Sequence, residues 1–393
     1  MDEIEFLKRE DVRQFIFENR NSDVNRIILS PPSVFKNEAS ILAKQILARQ
    51  KAKGKLDEWL KNEHLLFPQP LSVEQSSSTA TARYKRDLLS GEHVVDLTGG
   101  MGVDLISLSQ SFEKATYVEM QPSVCAYFRH NAAILGHEVE IVNDEAENYI
   151  RDFQGTACFY VDPARRDQDK NKVFKLEDCT PDVIALIPQL KSKSDQLLIK
   201  LSPMIDLSSV RKEIPNIKEI HVVSVRNECK EVLLLIDFEF ENEPTIIAVN
   251  LETDQPSFAF KPSDEGAHEE VTGGLNTLIY EPNASILKAG AFKTISKKYG
   301  LTKLAQHTHL YTSKEKKVDF PGRVFRVISS DVKKTLPNFL ENGAINVITR
   351  NYPLPANELK KKMKIKDGGA YFLLGYRDVA NKPHLVIAEK IKP

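Results

Sequence analysis

From Val94 to Asp104 the chain reads VVDLTGGMGVD, and this stretch limits its fold more than any other. The run His93-Val94-Val95 leads into Asp96, three glycines fall between Thr98 and Gly102, and the amphipathic segment Val103-Asp104-Leu105-Ile106-Ser107-Leu108 follows. Glycines let a backbone adopt positive φ and let a ligand approach the main chain closely. A helix start supplies free N–H groups. Strand, tight glycine turn and helix together open an α/β sheet, in which ligands bind outside the carboxyl ends of the strands.

The spacing of the turn narrows the ligand. The dinucleotide fingerprint G-x-G-x-x-G is absent, and no Lys-Ser or Lys-Thr follows the glycines as a phosphate-cradling loop requires. The pattern is instead D-x-x-G-G-x-G, built on Asp96, Gly99, Gly100 and Gly102. An acid beside the turn repels pyrophosphate but suits the cationic amino-acid part of S-adenosylmethionine. A second strand, Ala115 to Val118, ends in Glu119, which is 119 − 96 = 23 residues past Asp96. An acid at that place can bond ribose hydroxyls. A third strand, Val139 to Val142, ends in Asn143-Asp144, suited to an adenine edge. A fourth, Ala157 to Val161, ends in Asp162-Pro163-Ala164-Arg165-Arg166. An ordinary glycine-rich turn does not require Glu119, Asp144 and Asp162 at successive strand ends. Over about residues 80–240 the run resembles the class I S-adenosylmethionine-dependent methyltransferases. That resemblance implies cofactor contacts at Asp96, Thr98, Gly99, Gly100, Gly102, Glu119 and Asp144.

The 393 residues are enough for two to three domains, and the hydrophobic fraction of 41% is ample for their cores. The net charge of −1 gives no global attraction to nucleic acid, so any such surface has to be local. Cys125, Cys158, Cys179 and Cys229 show neither C-x-x-C nor zinc spacing and read as reduced thiols of a cytoplasmic chain. His307, His309 and Glu281 do not have metal-ligand spacing, and no metal is expected. The start MDEIEFLKRE lacks a signal-peptide apolar core, and no apolar run approaches the roughly 20 residues that span a bilayer. No membrane association is expected, and the oligomeric state is not legible.

Four regions are expected. Residues 1–90 form a helical cap, with helices over Asp2 to Phe17, Val34 to Leu60 and Ala80 to Leu89, and with Trp59 as a core anchor. Lys44, Arg49, Lys51, Lys53 and Lys55 read either as a solvated helix face or as a phosphate-contacting surface. Residues 91–242 form the cofactor-binding sheet, in which Gln196 to Ile199 ends at Lys200, and Glu219 to Val225 and Glu231 to Phe240 make an antiparallel hairpin. Residues 243–320 hold a β meander, Thr245 to Phe260, and a small ferredoxin-like α/β module with a helix from Pro282-Asn283 to Tyr299. Residues 321–393 alternate as β-α-β-α-β-β and carry 14 Lys plus Arg against 6 Asp plus Glu, a difference of +8, densest at Lys360, Lys361, Lys362, Lys364 and Lys366.

This order extends the resemblance to nearly the whole chain. EQSSSTATARYK, DLTGGMGVD, VDPARRD, YEPNASILKAG, DFPGRVF and GGAYFLLGY are similar to bacterial methyltransferases with a C-terminal THUMP-like domain. The N-terminal cap is also similar to that of trimethylguanosine synthases. The implied fold is α/β, a class I (Rossmann-like) sheet with an antiparallel terminal hairpin, a helical cap, and a ferredoxin-like and THUMP-like region behind it. The implied activity is methyl transfer, with RNA (tRNA or rRNA) as partner and a nitrogen or a ribose 2′-oxygen as acceptor. The alternative is a small-molecule or protein acceptor, with the C-terminal module as a lid or oligomerisation element. Pyrimidine-carbon methylation needs a cysteine nucleophile, and Leu201-Ser202-Pro203 offers none. Nitrogen methylation uses an Asn/Asp-Pro-Pro-aromatic segment, of which only Asp162-Pro163 is present. Ribose 2′-O methylation uses a Lys-Asp-Lys-Glu tetrad, and Lys85, Asp162, Lys200 and Glu231 fall at its positions. Pro163, Arg165 and Arg166, with Lys360, Lys361, Lys362 and Lys364, are the expected acceptor contacts.

Overall fold

Ala157-Cys158-Phe159-Tyr160-Val161 is buried at every position, the mark of a strand covered on both faces. It is the fourth strand of the larger sheet. The computed structural model describes residues 2–165, 176 and 179–392. They fall into two compact units, Met1–Lys218 with Val232–Asn242, and Glu219–Glu231 with Glu243–Pro393.

In the first unit the strands are β1 (Gly91–Asp96), β2 (Phe112–Val118), β3 (Glu140–Val142), β4 (Ala157–Val161) and β5 (Ser194–Leu201). β6 (Ile217–Val225) and β7 (Glu228–Asp237) follow. Neighbours run in the order β3-β2-β1-β4-β5-β7, all parallel except β7, which lies antiparallel to β5 with Leu201 opposite Val232. Helix boundaries follow local chemistry. Pro122 opens the helix Pro122–Leu135 and left-handed Gly136 closes it, each at its preferred position. Ser78 caps Thr79–Arg86, with its hydroxyl and that of Thr81 bonded in a reciprocal box. The N-terminal helices join the sheet through buried amides. Asn131, on Pro122–Leu135, accepts from the Leu66 N–H (2.9 Å) and donates to the Leu66 carbonyl (2.7 Å), while Gln45 does the same for Phe67.

The second unit contains the hairpin tip, where Arg226 and Asn227 both have positive φ (48° and 70°), as a two-residue turn between twisted strands requires. β8 (Thr245–Leu251) runs parallel to β6 and β9 (Phe258–Phe260) antiparallel to β8. A separate seven-stranded sheet holds β10 (Leu278–Pro282), β11 (Thr302–Lys303), β12 (Tyr311–Ser313), β13 (Gly322–Ser329), β14 (Asn346–Arg350), β15 (Tyr371–Arg377) and β16 (Pro383–Ile391). Its order is β11-β12-β10-β13-β16-β15-β14. β14 and β15 are parallel, with the helix Ala356–Met363 between them in sequence, and the other pairs are antiparallel. No helix among the described residues is long and apolar enough to cross a membrane.

Several expected elements differ. Asp2 to Phe17 is two helices, Glu3–Leu7 and Glu10–Glu18, and Val34 to Leu60 divides at left-handed Gly54. The stretch from Thr245 is not a plain meander, because β8 crosses over to lie parallel to β6. The expected helix to Tyr299 breaks at left-handed Gly290, and Asp331 to Leu340 keeps only Val332–Thr335 as α-helix before Pro337. Lys200 lies within β5 rather than beyond its end. Part of the basic stretch near residue 50 braces the fold internally. Arg49 donates to the Glu63 and Leu65 carbonyls, Lys51 pairs with Glu74, and Lys55 donates to the Val73 and Glu74 carbonyls.

Within the second unit, Glu281 of β10 is 2% exposed and pairs with both Arg323 (2.5 Å) and Arg350 (2.6 Å). The pairs tie β10 to β13 and to the end of β14. Replacing Glu281 with Ala should destabilise this unit by about 2–4 kcal/mol, below a fully buried case because the guanidinium groups keep some water. The change should be read as faster hydrogen exchange of β10 amides, because the sole tryptophan, Trp59, lies in the first unit. Unchanged exchange there would show that the pairs contribute nothing.

Candidate active site

The glycine turn is shaped as much from below as from above. A Cβ at Gly99 would sit 2.2 Å from the Tyr117 ring, and one at Gly102 would sit 2.2 Å from Phe128. Those two rings stack at 3.9 Å, and the Tyr117 hydroxyl donates to the Gly100 carbonyl at 2.6 Å. Gly100 and Gly102 have φ of 52° and 80°. Gly99 and Gly102 are therefore required by aromatic packing, and Gly100 and again Gly102 by conformation. Over this platform the acids divide. Asp96 is 1% exposed, and its carboxylate accepts from the Thr98 N–H (2.9 Å) and, more weakly, its hydroxyl. Burial, and then the charges of Asp104 and Asp162, push the Asp96 carboxyl well above the usual range. Thr98 in turn accepts from the Asp162 N–H at 2.7 Å, joining the ends of β1 and β4.

Glu119 accepts from the Gly100 N–H (3.0 Å) and the Gln121 N–H (2.8 Å), and Asn143 donates to its carbonyl at 2.8 Å. The half-buried Asp144 accepts from the Glu145 N–H and from the Asn148 amide. Glycine turn, Glu119 and Asp144 thus stand at the carboxyl ends of β1, β2 and β3, with the Glu119 acid held against the turn. This donor and acceptor set fits a cofactor with a ribose and a charged tail.

At the ends of β4 and β5 the Lys200 ammonium contacts the Asp162 carboxylate; their side chains are 12% and 35% exposed. Lys85, on Thr79–Arg86, is fully buried and sits 3.2 Å from Asp104. Asp104, in the first turn of Val103–Leu108, also accepts from the Ser77 and Tyr160 hydroxyls, each at 2.7 Å. Burial pushes the Asp104 carboxyl up, but the charges of Lys85 and Lys200, with the Ser77 and Tyr160 hydroxyls, outweigh it and hold it below its usual value. Asp104 ends the same DLTGGMGVD stretch, and the sign that marks it is the need of a buried lysine for a carboxylate. Glu231 is buried in the second unit. Pro163 is buried, and Arg165 lies in a two-residue strand paired with Cys179–Thr180. Arg166 lies outside the described residues. In the second unit, Lys361, Lys362 and Lys364 are exposed, whereas Lys360 is half-buried and 3.4 Å from Asp367.

The Asp104 pair sets an acid-side limit on stability. A carboxyl held low when folded stabilises above its unfolded pKa, about 3.9, and that contribution is lost as pH falls through the folded value. Asp96 has the opposite sign, since a raised carboxyl contributes below its unfolded pKa and loses that contribution as pH rises through the folded one. Asp104→Asn should therefore cost about 3–5 kcal/mol at pH 7 by removing the carboxylate 3.2 Å from the buried Lys85 ammonium. Urea titrations should show the gap from wild type closing toward pH 3. A gap that stays constant with pH would remove the ionised pair.

A model of a ferredoxin-like domain matches residues 279–321, and a model of a THUMP domain-like module matches residues 322–390. A solved structure from Porphyromonas gingivalis W83, assigned as a methyltransferase, is 32% identical with a TM-score of 0.85, covering 97% of this chain and 98% of its own. An uncharacterized S-adenosylmethionine-dependent methyltransferase of Mycobacterium tuberculosis is 24% identical over 343 residues, 84% of this chain and 91% of that protein. With the glycine turn, the acids at its strand ends and the antiparallel last strand, these matches place the chain in the class I S-adenosylmethionine-dependent methyltransferases that carry ferredoxin-like and THUMP-like modules.

Proposed function

We propose that this methyltransferase modifies RNA, and that its acceptor is a ribose 2′-hydroxyl. The observation that carries the reading is the contact between Lys200 and Asp162 at the carboxyl edge of the sheet, both partly open to solvent. Asp162 orients the acceptor hydroxyl, and Lys200, after its own proton has passed to solvent, takes the hydroxyl proton at Nζ. The ammonium so formed is held by Asp162 and, at longer range, by Asp104, whose field already reaches Lys200. Bound at the turn, S-adenosylmethionine supplies an electrophilic methyl group. Glu119 and Asp144 hold its ribose and base, while Thr98 and the turn backbone, braced by Asp96, hold its amino-acid end. Lys85, with no exposed atom, touches no substrate and acts by positioning Asp104. Positioning of this kind supplies much of the rate of a displacement.

RNA as partner is supported by charge in the second unit. Of the 14 basic residues after residue 320, Arg323 and Arg350 are committed to Glu281 and Lys360 to Asp367. Lys361, Lys362, Lys364 and Lys366 are exposed and make no ion pair among the described residues. Cations at the end of Ala356–Met363 complement the helix dipole, but this term is worth only about 0.3–1 kcal/mol per charge and is met within one turn. Further lysines beyond it repel one another unless an anion meets them, which is the condition of phosphate binding. The THUMP domain-like match supports the same reading.

Four expectations test it. Asp96→Ala and Glu119→Ala should each weaken S-adenosylmethionine binding by roughly tenfold or more, about 1.4 kcal/mol; unchanged calorimetry in both would remove this crevice. Asp162→Ala should abolish turnover, and Lys200→Met should lower it about 10²–10⁴-fold, with cofactor affinity retained. Labelled methyl should appear as 2′-O-methyl nucleosides after digestion of total RNA. A methylated base would move the acceptor to nitrogen, and label confined to protein or metabolites would overturn RNA altogether. RNA affinity should fall with salt at a log–log slope of roughly −3 to −5. Replacing Lys360, Lys361, Lys362 and Lys364 together should flatten that slope.

A further inference from the structure

The N-terminal helices enclose a cavity of about 320 Å³ that shares no residue with the glycine turn or the Lys200–Asp162 pair. Its walls are of two kinds. Leu7, Ile16, Phe17, Leu60 and Leu66 supply an apolar side, and Arg13, Arg20, Arg49 and Lys53 supply four cations. Two acids, Asp57 and Glu63, also line it, so the lining carries 4 − 2 = +2. None of the four cations makes an ion pair within 4.0 Å among the described residues. The acid Asp57 instead accepts the Gly54 N–H at 2.8 Å.

The cations are held in place by neutral groups. Arg49 donates to the Glu63 and Leu65 carbonyls (3.1 and 2.7 Å), yet its buried Nε has no hydrogen-bond partner. Burial pulls its pKa down to about 10, which still leaves it charged at neutral pH. Arg20 lies 4.1 Å over the Phe17 ring and donates to the Phe17 carbonyl, Lys53 donates to Asn21, and Arg13 meets His64 Nδ1. A folded chain gains nothing from gathering four unpaired cations with an orphaned buried guanidinium N–H. An anion in the cavity gives the guanidinium and ammonium groups that face it charge-assisted bonds. The surplus of two charges matches a phosphate monoester dianion better than a single carboxylate. Phe17, 45% exposed with a guanidinium over it, offers the flat stacking surface that bases use.

We propose that this cavity binds a nucleoside 5′-monophosphate group, with its phosphate on Arg49, Arg20 and Lys53 and its base against Phe17 and the neighbouring aliphatic side chains. The group is either a free nucleotide or the phosphorylated end of an RNA, and its binding does not depend on the acceptor proposed above. The test uses the full-length protein with saturating S-adenosylhomocysteine, so that nucleotides cannot report on the cofactor crevice. Uridine 5′-monophosphate, adenosine 5′-monophosphate, uridine, and a 5′-phosphorylated and an unphosphorylated uridine dinucleotide are titrated by calorimetry.

Binding should be saturable for the phosphorylated ligands and absent for uridine and the unphosphorylated dinucleotide. Binding of the phosphorylated dinucleotide alone would identify an RNA end as the source; binding of the monophosphates as well would identify the free nucleotide. Arg20→Gln with Lys53→Gln should weaken binding by roughly tenfold or more, while S-adenosylmethionine affinity is unchanged. These two side chains lie at the exposed rim, so the variant keeps the fold even if Arg49→Met, which frees two carbonyls, does not. No saturable binding of any phosphorylated ligand at millimolar concentration would overturn the proposal. Equal affinity in the double variant, or binding of decanoate in place of the nucleotides, would do the same.

Discussion

Lys85 has no exposed atom, and much of the first unit is arranged so that its charge can remain there. An ammonium group removed from water costs several kcal/mol unless a carboxylate and further acceptors surround it. Asp104 supplies the carboxylate at 3.2 Å and Ser77 an acceptor at 3.0 Å, and Tyr160 fixes the other side of Asp104. These four residues come from the helix before β1, the loop before that helix, the helix after the glycine turn, and β4. A single ionic cluster thereby sets the register between the N-terminal helices and the sheet. The cap is part of the foundation of the site, because moving it would pull the buried lysine away from Asp104.

The glycine turn is constrained in a complementary way. Its upper side presents N–H groups, one of them to Glu119, and its lower side rests on the Tyr117–Phe128 stack with no room for a Cβ at Gly99 or Gly102. A turn held from beneath by rings cannot relax when a ligand arrives or leaves. The order that cofactor binding would otherwise have to impose is already present in the fold, and such preorganisation lowers the entropic cost of binding.

The sheet was legible because its strands are short apolar runs that end in Asp96, Glu119, Asp144 and Asp162, a pattern that survives without any neighbour. The hairpin, the helix end at Tyr299 and the alternation after residue 321 were legible for the same reason: each is set by residues close in sequence. What escaped was decided by distant partners. Gly290 and Gly54 interrupt helices whose apolar periodicity continues through them. The crossover of β8 onto β6 has no local mark, since a parallel and an antiparallel strand of that length read alike. Lys85 was visible as a residue before β1, but its burial, and the choice of Asp104 as its carboxylate, depend on Ser77 and Tyr160, which lie up to 160 − 77 = 83 residues apart. The basic run near Arg49 was read by its charge, whereas its carbonyl partners at Glu63, Leu65 and Val73 give it a bracing role that composition does not reveal.

The two lysines of the candidate site differ in their burial. Both act electrostatically on Asp104, which is held ionised between them. Lys85 is fully buried and its ammonium lies 3.2 Å from Asp104, so it works as a fixed strut. Lys200 keeps 12% of its side chain open and contacts a carboxylate that is itself 35% open. The Lys200–Asp162 pair is therefore within reach of solvent. Burial and the charges of Asp104 and Asp162 raise the Asp96 carboxyl, and its bonds from Thr98 only partly oppose that shift. The edge thus combines a fixed ion pair, an acid whose charge is discouraged and one accessible ion pair, and only the last has the exposure that chemistry on an external acceptor requires.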